Sequence, residues 1–178
     1  FQNFTFGQDY KESQDYYLTK IEYSQILKLE SENNNFDGYI SIFLKNQLGE
    51  KLKEIKVYVE TYENDGMVQE KKSLNLKNVK KIIRVDISQC ACYCNTSIYF
   101  WLITEEGKWI ELPKIDEEDY EFELKYKDYV FSINNPNEIQ LMEYQDEFTN
   151  KETLDKVRRK SEIVLKSFYW DGKNISDQ

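Results

Sequence analysis

The chain has 178 residues, 24 basic and 33 acidic side chains, a net charge of −9 and no histidine. The missing histidine excludes Ser-His-Asp and Cys-His catalysis, HExxH zinc sites and histidine pH switches. The acidic balance argues against nucleic acid as a partner, because affinity for phosphate comes from clustered Lys and Arg.

One alanine and three arginines stand against 21 lysines, 16 isoleucines and 14 asparagines. This is the composition of an AT-rich genome, so the Lys and Asn bias carries little functional information. No GxGxxG, P-loop or GxSxG sequence occurs. No apolar run approaches the ~18–20 residues that a membrane-spanning helix needs. A chain of this length fits one domain, 1–178, able to bury roughly 70% of its unfolded surface.

Strand signals dominate from the start. Tyr17, Thr19, Ile21 and Tyr23 alternate with Lys20, Glu22 and Ser24, and Leu27 and Leu29 keep the parity. Asn33 to Gly38 is a turn by composition. Residues 39–45 are apolar on both faces except at Ser41 and Lys45, as in a central strand. Ile55, Val57, Val59 and Thr61 then face one way, with Lys56, Tyr58, Glu60 and Tyr62 opposite. Asn64-Asp65-Gly66 predicts a hairpin turn, since Asp-Gly tolerates positive φ.

Further strands follow at Ile83, Val85 and Ile87 and along the apolar run Ile98 to Ile103. Glu106-Gly107 turns the chain into Trp109 to Leu112, and Pro113 closes that segment. Tyr120, Phe122, Leu124 and Tyr126 alternate with Glu121, Glu123 and Lys125. Residues 129–133 and 138–144 read as a pair around Asn134 to Asn137. Thr149-x-x-Glu152 has capping-box spacing and, with Leu154 and Val157, predicts one helix. Segment 161–170 reads as a strand, because β-branched and aromatic residues are dense there. About ten short strands separated by turn signals predict a mainly β fold. It would be an antiparallel sandwich or barrel with at most one or two short helices. An α+β arrangement is the alternative.

Four features bear on chemistry. Cys90, Cys92 and Cys94 would share one face of an extended strand, where thiolates bind soft metals such as Cu(I) or Zn. A closed zinc site wants a fourth ligand, which here would be a carboxylate or another chain's group. The plainer reading is buried small side chains, with one disulfide and one free thiol. Neighbours at i, i+2 would have Cα atoms about 6.6 Å apart, so a disulfide in this segment requires a bend.

The second feature is charge. Residues 105–147 carry 4 lysines and 14 acids, so the whole net charge lies in that segment. Glu105, Glu106, Glu111, Asp116, Glu117, Glu118 and Asp119 are its candidate partner-binding residues. The plain alternative is a solvated strand face. The acids at 116–119, read as a turn, cannot all converge on one cation.

Third, Asn33-x-Asn35-x-Asp37-Gly38 partly resembles the start of a calcium loop, but Leu44 stands where the bidentate Glu should be. A plain turn explains it better. Fourth, Trp101, Trp109 and Trp170 with the tyrosines offer a stacking platform for sugars, although strands favour aromatics anyway.

The tail, Ile163-Val164-Leu165-Lys166-Ser167-Phe168-Tyr169-Trp170-Asp171-Gly172-Lys173, is similar to the closing strand-turn of uncharacterised exported β-rich bacterial proteins. That resemblance covers the last third of the chain. It implies export and β structure and carries no catalytic residue over. The opening at Phe1 rather than methionine reads as a removed export signal, so a secreted or periplasmic, cell-envelope location is expected.

The leading expectation is therefore a non-enzymatic exported binding or interaction protein with no cofactor. The first alternative is an immunity or inhibitor protein that sets segment 105–147 against a basic protein. A glycan ranks behind such a partner. The second alternative is a carboxylate-based glycan-active enzyme.

Overall fold

The computed structural model describes residues 10–19, 38–58, 64–73, 75–90, 94–119, 124–132, 134–150 and 155–178. Thirteen β-strands and no helix lie within them. In chain order these are β1 (Lys11–Glu12), β2 (Tyr16–Leu18), β3 (Tyr39–Asn46), β4 (Lys51–Tyr58), β5 (Asn64–Lys72), β6 (Val79–Cys90) and β7 (Cys94–Thr104). Then come β8 (Trp109–Glu111), β9 (Ile115–Asp119), β10 (Leu124–Phe131), β11 (Glu138–Asn150), β12 (Asp155–Trp170) and β13 (Ile175–Asp177).

They make three antiparallel sheets, none closed into a barrel. The largest runs β1-β5-β6-β7-β8, with β9 also paired to β7. The second is β2-β3-β4 and the third β10-β11-β12-β13. The mainly β expectation holds, as stacked open sheets.

Alternation along β7 explains the layering. Ile98, Phe100 and Leu102 point into one core, and Tyr99, Trp101 and Ile103 into the other. The first core is completed by Tyr129, Ile139, Phe168 and Trp170 of the β10–β13 sheet. The second is completed by Ile40, Ile42, Leu44, Ile55 and Val57 of β3 and β4. The largest sheet is thus the middle layer, covered on both faces. This is why 98–103 is an unbroken apolar run: each side chain has a core to enter, and burying each large one is worth about 1.5–3 kcal/mol.

β6 behaves likewise. Ile83, Val85 and Ile87 enter the second core and Ile82 the first. A bulge between Val79 and Lys81 shifts the parity, so Val79 joins Ile82 in the same core.

The tail bolts the layers together. The Trp170 indole Nε1 donates to the Lys77 carbonyl at 2.7 Å, and Asn78 Nδ2 donates to the Gly172 carbonyl at 2.9 Å. Asp171 Oδ1 accepts the amides of Lys173 and Asn174, closing a turn in which Gly172 takes a φ of 98°. The strand-turn of the tail is therefore a structural clasp.

The structure corrects three expectations. Thr149 does not cap a helix: β11 runs to Asn150, β12 starts at Asp155, and these two residues are register partners. Strand pairing overrides the capping pattern. Segment 161–170 is strand, as expected. Asn64-Asp65-Gly66 opens β5 instead of turning, with Gly66 opposite Ile87. Its glycine serves a close approach, since a Cβ there would lie 2.7 Å from Leu18 Cδ1 of β2. Asp116 to Asp119 are not on a turn, because β9 carries them along β7. The expected pair at 129–133 and 138–144 is present and longer, as β10 and β11, with Phe131 opposite Ile139. Two bulges interrupt β11–β12, between Leu141 and Met142 and between Gln145 and Asp146, and leave Leu165 and Lys160 as the extra residues. No described helix is long and apolar enough to cross a membrane.

Candidate functional site

The expected partner-binding acids lie along one edge of the middle sheet. β8 pairs with Trp101 to Ile103 of β7, and β9 pairs with Cys94 to Ile98. Glu105 and Glu106 therefore sit in the turn at one end of β7, while Glu118 and Asp119 hold register positions at the other, opposite Asn95 and Cys94. An eleven-residue strand spans roughly 33 Å. The segment is a line of charge and not a single cluster.

Its members also differ in environment. Glu105, Glu106, Glu111 and Asp116 are exposed. Asp116 pairs with Lys114 at 2.8 Å and accepts from Ser97, and Glu111 accepts from the Trp101 indole at 3.3 Å. Glu117 points the other way, as strand alternation requires, and is half-buried. Its Oε1 accepts the Lys127 amide of β10.

Around Glu117 the two sheets enclose a charged knot. Arg84 of β6 pairs with Asp86 at 2.8 Å and with Asp128 of β10 at 3.4 Å. Burial pushes the Glu117 carboxyl up to about 7 and the Asp128 carboxyl up to about 6, only partly offset by Arg84. Burial pulls Arg84 down, but Asp86 and Asp128 outweigh that and hold it above its ordinary range. Beside them the Tyr10 hydroxyl is buried without a hydrogen-bond partner, and burial with nearby Asp128 raises its pKa well above the usual value.

The cysteines are not on one extended strand. Cys90 ends β6, Cys94 begins β7, and the two are register partners across the hairpin. Cys92 lies outside the described residues, as do Asn33, Asn35 and Asp37 of the calcium-like loop, Tyr120 to Glu123, and the strand expected beyond Thr19. No group of three metal-binding side chains occurs among the described residues.

Of the three tryptophans, Trp101 and Trp170 are core residues. Trp109 lines a shallow, open depression of about 320 Å³ with Tyr16, Leu48, Leu52 and Asp15. Its ring meets Tyr16 edge-on at 5.5 Å. A sugar platform of all three rings is therefore not built.

Sequence reasoning passed over β12 as a surface. Ile163, Val164 and Leu165 are exposed at 54%, 47% and 44%, three large apolar residues in succession. Successive strand residues face opposite sides, so both faces of β12 are open there. β13 covers only Phe168 to Trp170 on the outer side of β12, plus the Ser167 carbonyl, which accepts from the Gln178 amide. Among the described residues no strand pairs with that side from Asp155 to Lys166. The flanking charges are satisfied internally: Arg158 with Glu147 at 2.5 Å, Arg159 with Asp146 at 2.5 Å, and Lys166 with Asp177 at 2.9 Å. Arg159 also lies 4.1 Å from the centre of the Tyr144 ring and donates to the Tyr126 hydroxyl. Those ion pairs do not arise at a helical spacing, so only the pairing of β12 with β11 and β13 makes the patch visible. Compared with protein-family models, curated proteins and solved structures, the chain matches none.

Proposed function

We propose that this is a non-enzymatic interaction protein, acting outside the cytoplasm, that binds an extended segment of another protein by strand addition to the outer edge of β12. The observation carrying this reading is the succession of exposed Ile163, Val164 and Leu165 on an edge without a described neighbour. An open edge offers backbone donors and acceptors for affinity, and alternate side chains give specificity. Because Arg158, Arg159 and Lys166 already have acidic partners, the matching segment is uncharged and β-branched, and charge is not its main attraction.

A soluble peptide of alternating Thr and Val serves as the probe. Amide resonances of residues 160–166 should shift on titration, and Ile163→Lys should weaken binding about tenfold. Affinity should change little with salt. Shifts confined to other strands would overturn the reading, as would a dimer in sedimentation whose β12 amides are already protected by a second copy.

The immunity or inhibitor reading remains as a second proposal, favoured by exposed Glu105, Glu106, Glu111 and Asp116 on one sheet edge. It requires a basic partner and an on-rate that falls steeply with added salt. Salt therefore separates the two readings.

A further inference from the structure

We propose that the outer face of the β2-β3-β4 sheet binds an acidic polysaccharide, one with a carboxylate on alternate sugar units. Ile40, Ile42 and Leu44 of β3 and Ile55 and Val57 of β4 fill the second core. Alternation therefore turns Tyr39, Phe43 and Lys45 of β3, with Lys56 and Tyr58 of β4, to the opposite face. The register sets Tyr39 beside Tyr58 and Lys45 beside Lys51. Tyr17 of β2 lies opposite Lys45 and extends the row. None of the tryptophans is on this face.

Two observations point to a ligand, and the first is aromatic. Tyr17, Tyr39 and Tyr58 are 45%, 51% and 50% exposed, and among the described tyrosines only Tyr169 is as open elsewhere. Single exposed tyrosines are ordinary, but three on one face of a small sheet make a patch. The Tyr39 and Tyr58 rings meet at 5.1 Å with their planes inclined at 64°. Gly38, at a φ of 79°, has no Cβ where the Tyr58 ring lies, so the ring rests on backbone there.

The second is charge. Lys45, Lys51 and Lys56 have no acidic partner among the described residues. Lys51 Nζ lies 3.7 Å from the centre of the Phe43 ring. Glu54, opposite Phe43, accepts the Ser41 hydroxyl at 2.5 Å. In a chain of net charge −9, this face sets three lysines against one glutamate. It is therefore complementary to an anion.

The spacing selects among anions. Lys45 and Lys51 face each other at one end, and Lys56 sits opposite Ser41, four residues or about 13 Å back along β3. A nucleic-acid strand carries a charge on every unit, and the chain's net charge repels so dense a polyanion. A glycan with an acid on alternate sugars is as sparsely charged as the lysines. Inclined rings also suit sugars. Successive bases stack on parallel planes, whereas the CH-bearing faces of linked sugars turn relative to one another.

A hyaluronan oligosaccharide, which alternates acidic and neutral sugars, serves as the probe for the whole chain. Amide resonances of 39–45 and 51–58 should shift on titration, and those of 160–166 on β12 should not. Tyr58→Ala should weaken binding about tenfold. Lys56→Gln should weaken it severalfold and make it less sensitive to salt. Lys56 is exposed, so that variant keeps the fold and decides the matter even where loss of Tyr58 disturbs the hairpin. Absence of binding to the native chain, or equal binding by both variants, would overturn the proposal. Equal affinity for a neutral chitin oligosaccharide would also overturn it, as would tighter binding of oligothymidylate or polyglutamate.

Discussion

Glu117 is the residue at which the acidic segment stops being surface. Asp116, the residue before it in β9, is exposed, but alternation turns Glu117 inward to the Arg84 knot. Its carboxyl rises from 4.5 to about 7. The folded state therefore holds the proton more tightly than the unfolded chain does. Between pH 4.5 and 7 the folded state binds more protons, so stability falls as pH rises through that window. Asp128, raised from 3.8 to about 6, adds to the same slope from slightly lower pH. Urea titrations of the native chain should show a loss toward pH 8, with Glu117 accounting for about 3 kcal/mol at most. Glu117→Gln, which keeps a carbonyl to accept the Lys127 amide, should flatten the slope and be the more stable form at pH 8. An unchanged slope in that variant would remove Glu117 from the account.

The sequence displayed the acids at 116–119 but not that Asp116 meets water while Glu117 turns inward. A run of four like residues has no period, and only pairing with β7 assigns faces. Gly66 shows a similar limit. Asn-Asp-Gly fits a hairpin turn and also fits a strand whose neighbour comes too close for a Cβ, and the second is what Leu18 demands. Gly66→Ala should cost about 1–3 kcal/mol by overpacking. Most of that should be recovered when Leu18→Ala is added, a coupling that chemical denaturation of the four-member mutant cycle measures.

Among the elements, the apolar half of β7 was the most legible, whereas the reversal between β6 and β7 falls where Cys90 to Cys94 fit a single extended strand. Residues apolar at every position from 98 to 103 could only be a strand covered on both sides, and β7 is that strand. The β11–β12 hairpin was the least legible. Its two strands extend well past the pair that alternation suggested, and Thr149 to Val157 imitates a helix start. Local pattern could not reveal a register in which Asp146 and Glu147 meet Arg159 and Arg158, because that match spans the whole hairpin.

For the whole molecule, layering sets the order in which parts open. β6 and β7 have a core on each face and should exchange amide hydrogen last, near the global unfolding free energy. The outer half of β12 should exchange first. Ile83, fully buried in the second core, should cost about 2–5 kcal/mol as Ile83→Ala. Trp170→Phe should cost about 1–3 kcal/mol by leaving the Lys77 carbonyl without its donor. Both values can be read from urea midpoints, and equal exchange rates in β7 and β12 would contradict the layered order. Folding should be slow for the chain's size, since a middle sheet forms its rewards only after distant strands meet.

The two bulges of β11–β12 have a further consequence, for solubility. A strand with no neighbour on one side among the described residues, and with three apolar residues in a row, is the kind of surface on which fibres grow, because a flat edge can be copied without limit. Lys160 and Leu165, the extra residues, bracket Ile163 and Val164. Each bulge bends the strand and tightens its twist. A twisted edge accepts one added strand but offers no flat template for a growing stack. Deleting Lys160 and Leu165 together should therefore give a chain that seeds thioflavin-positive aggregates at concentrations where the native protein stays clear.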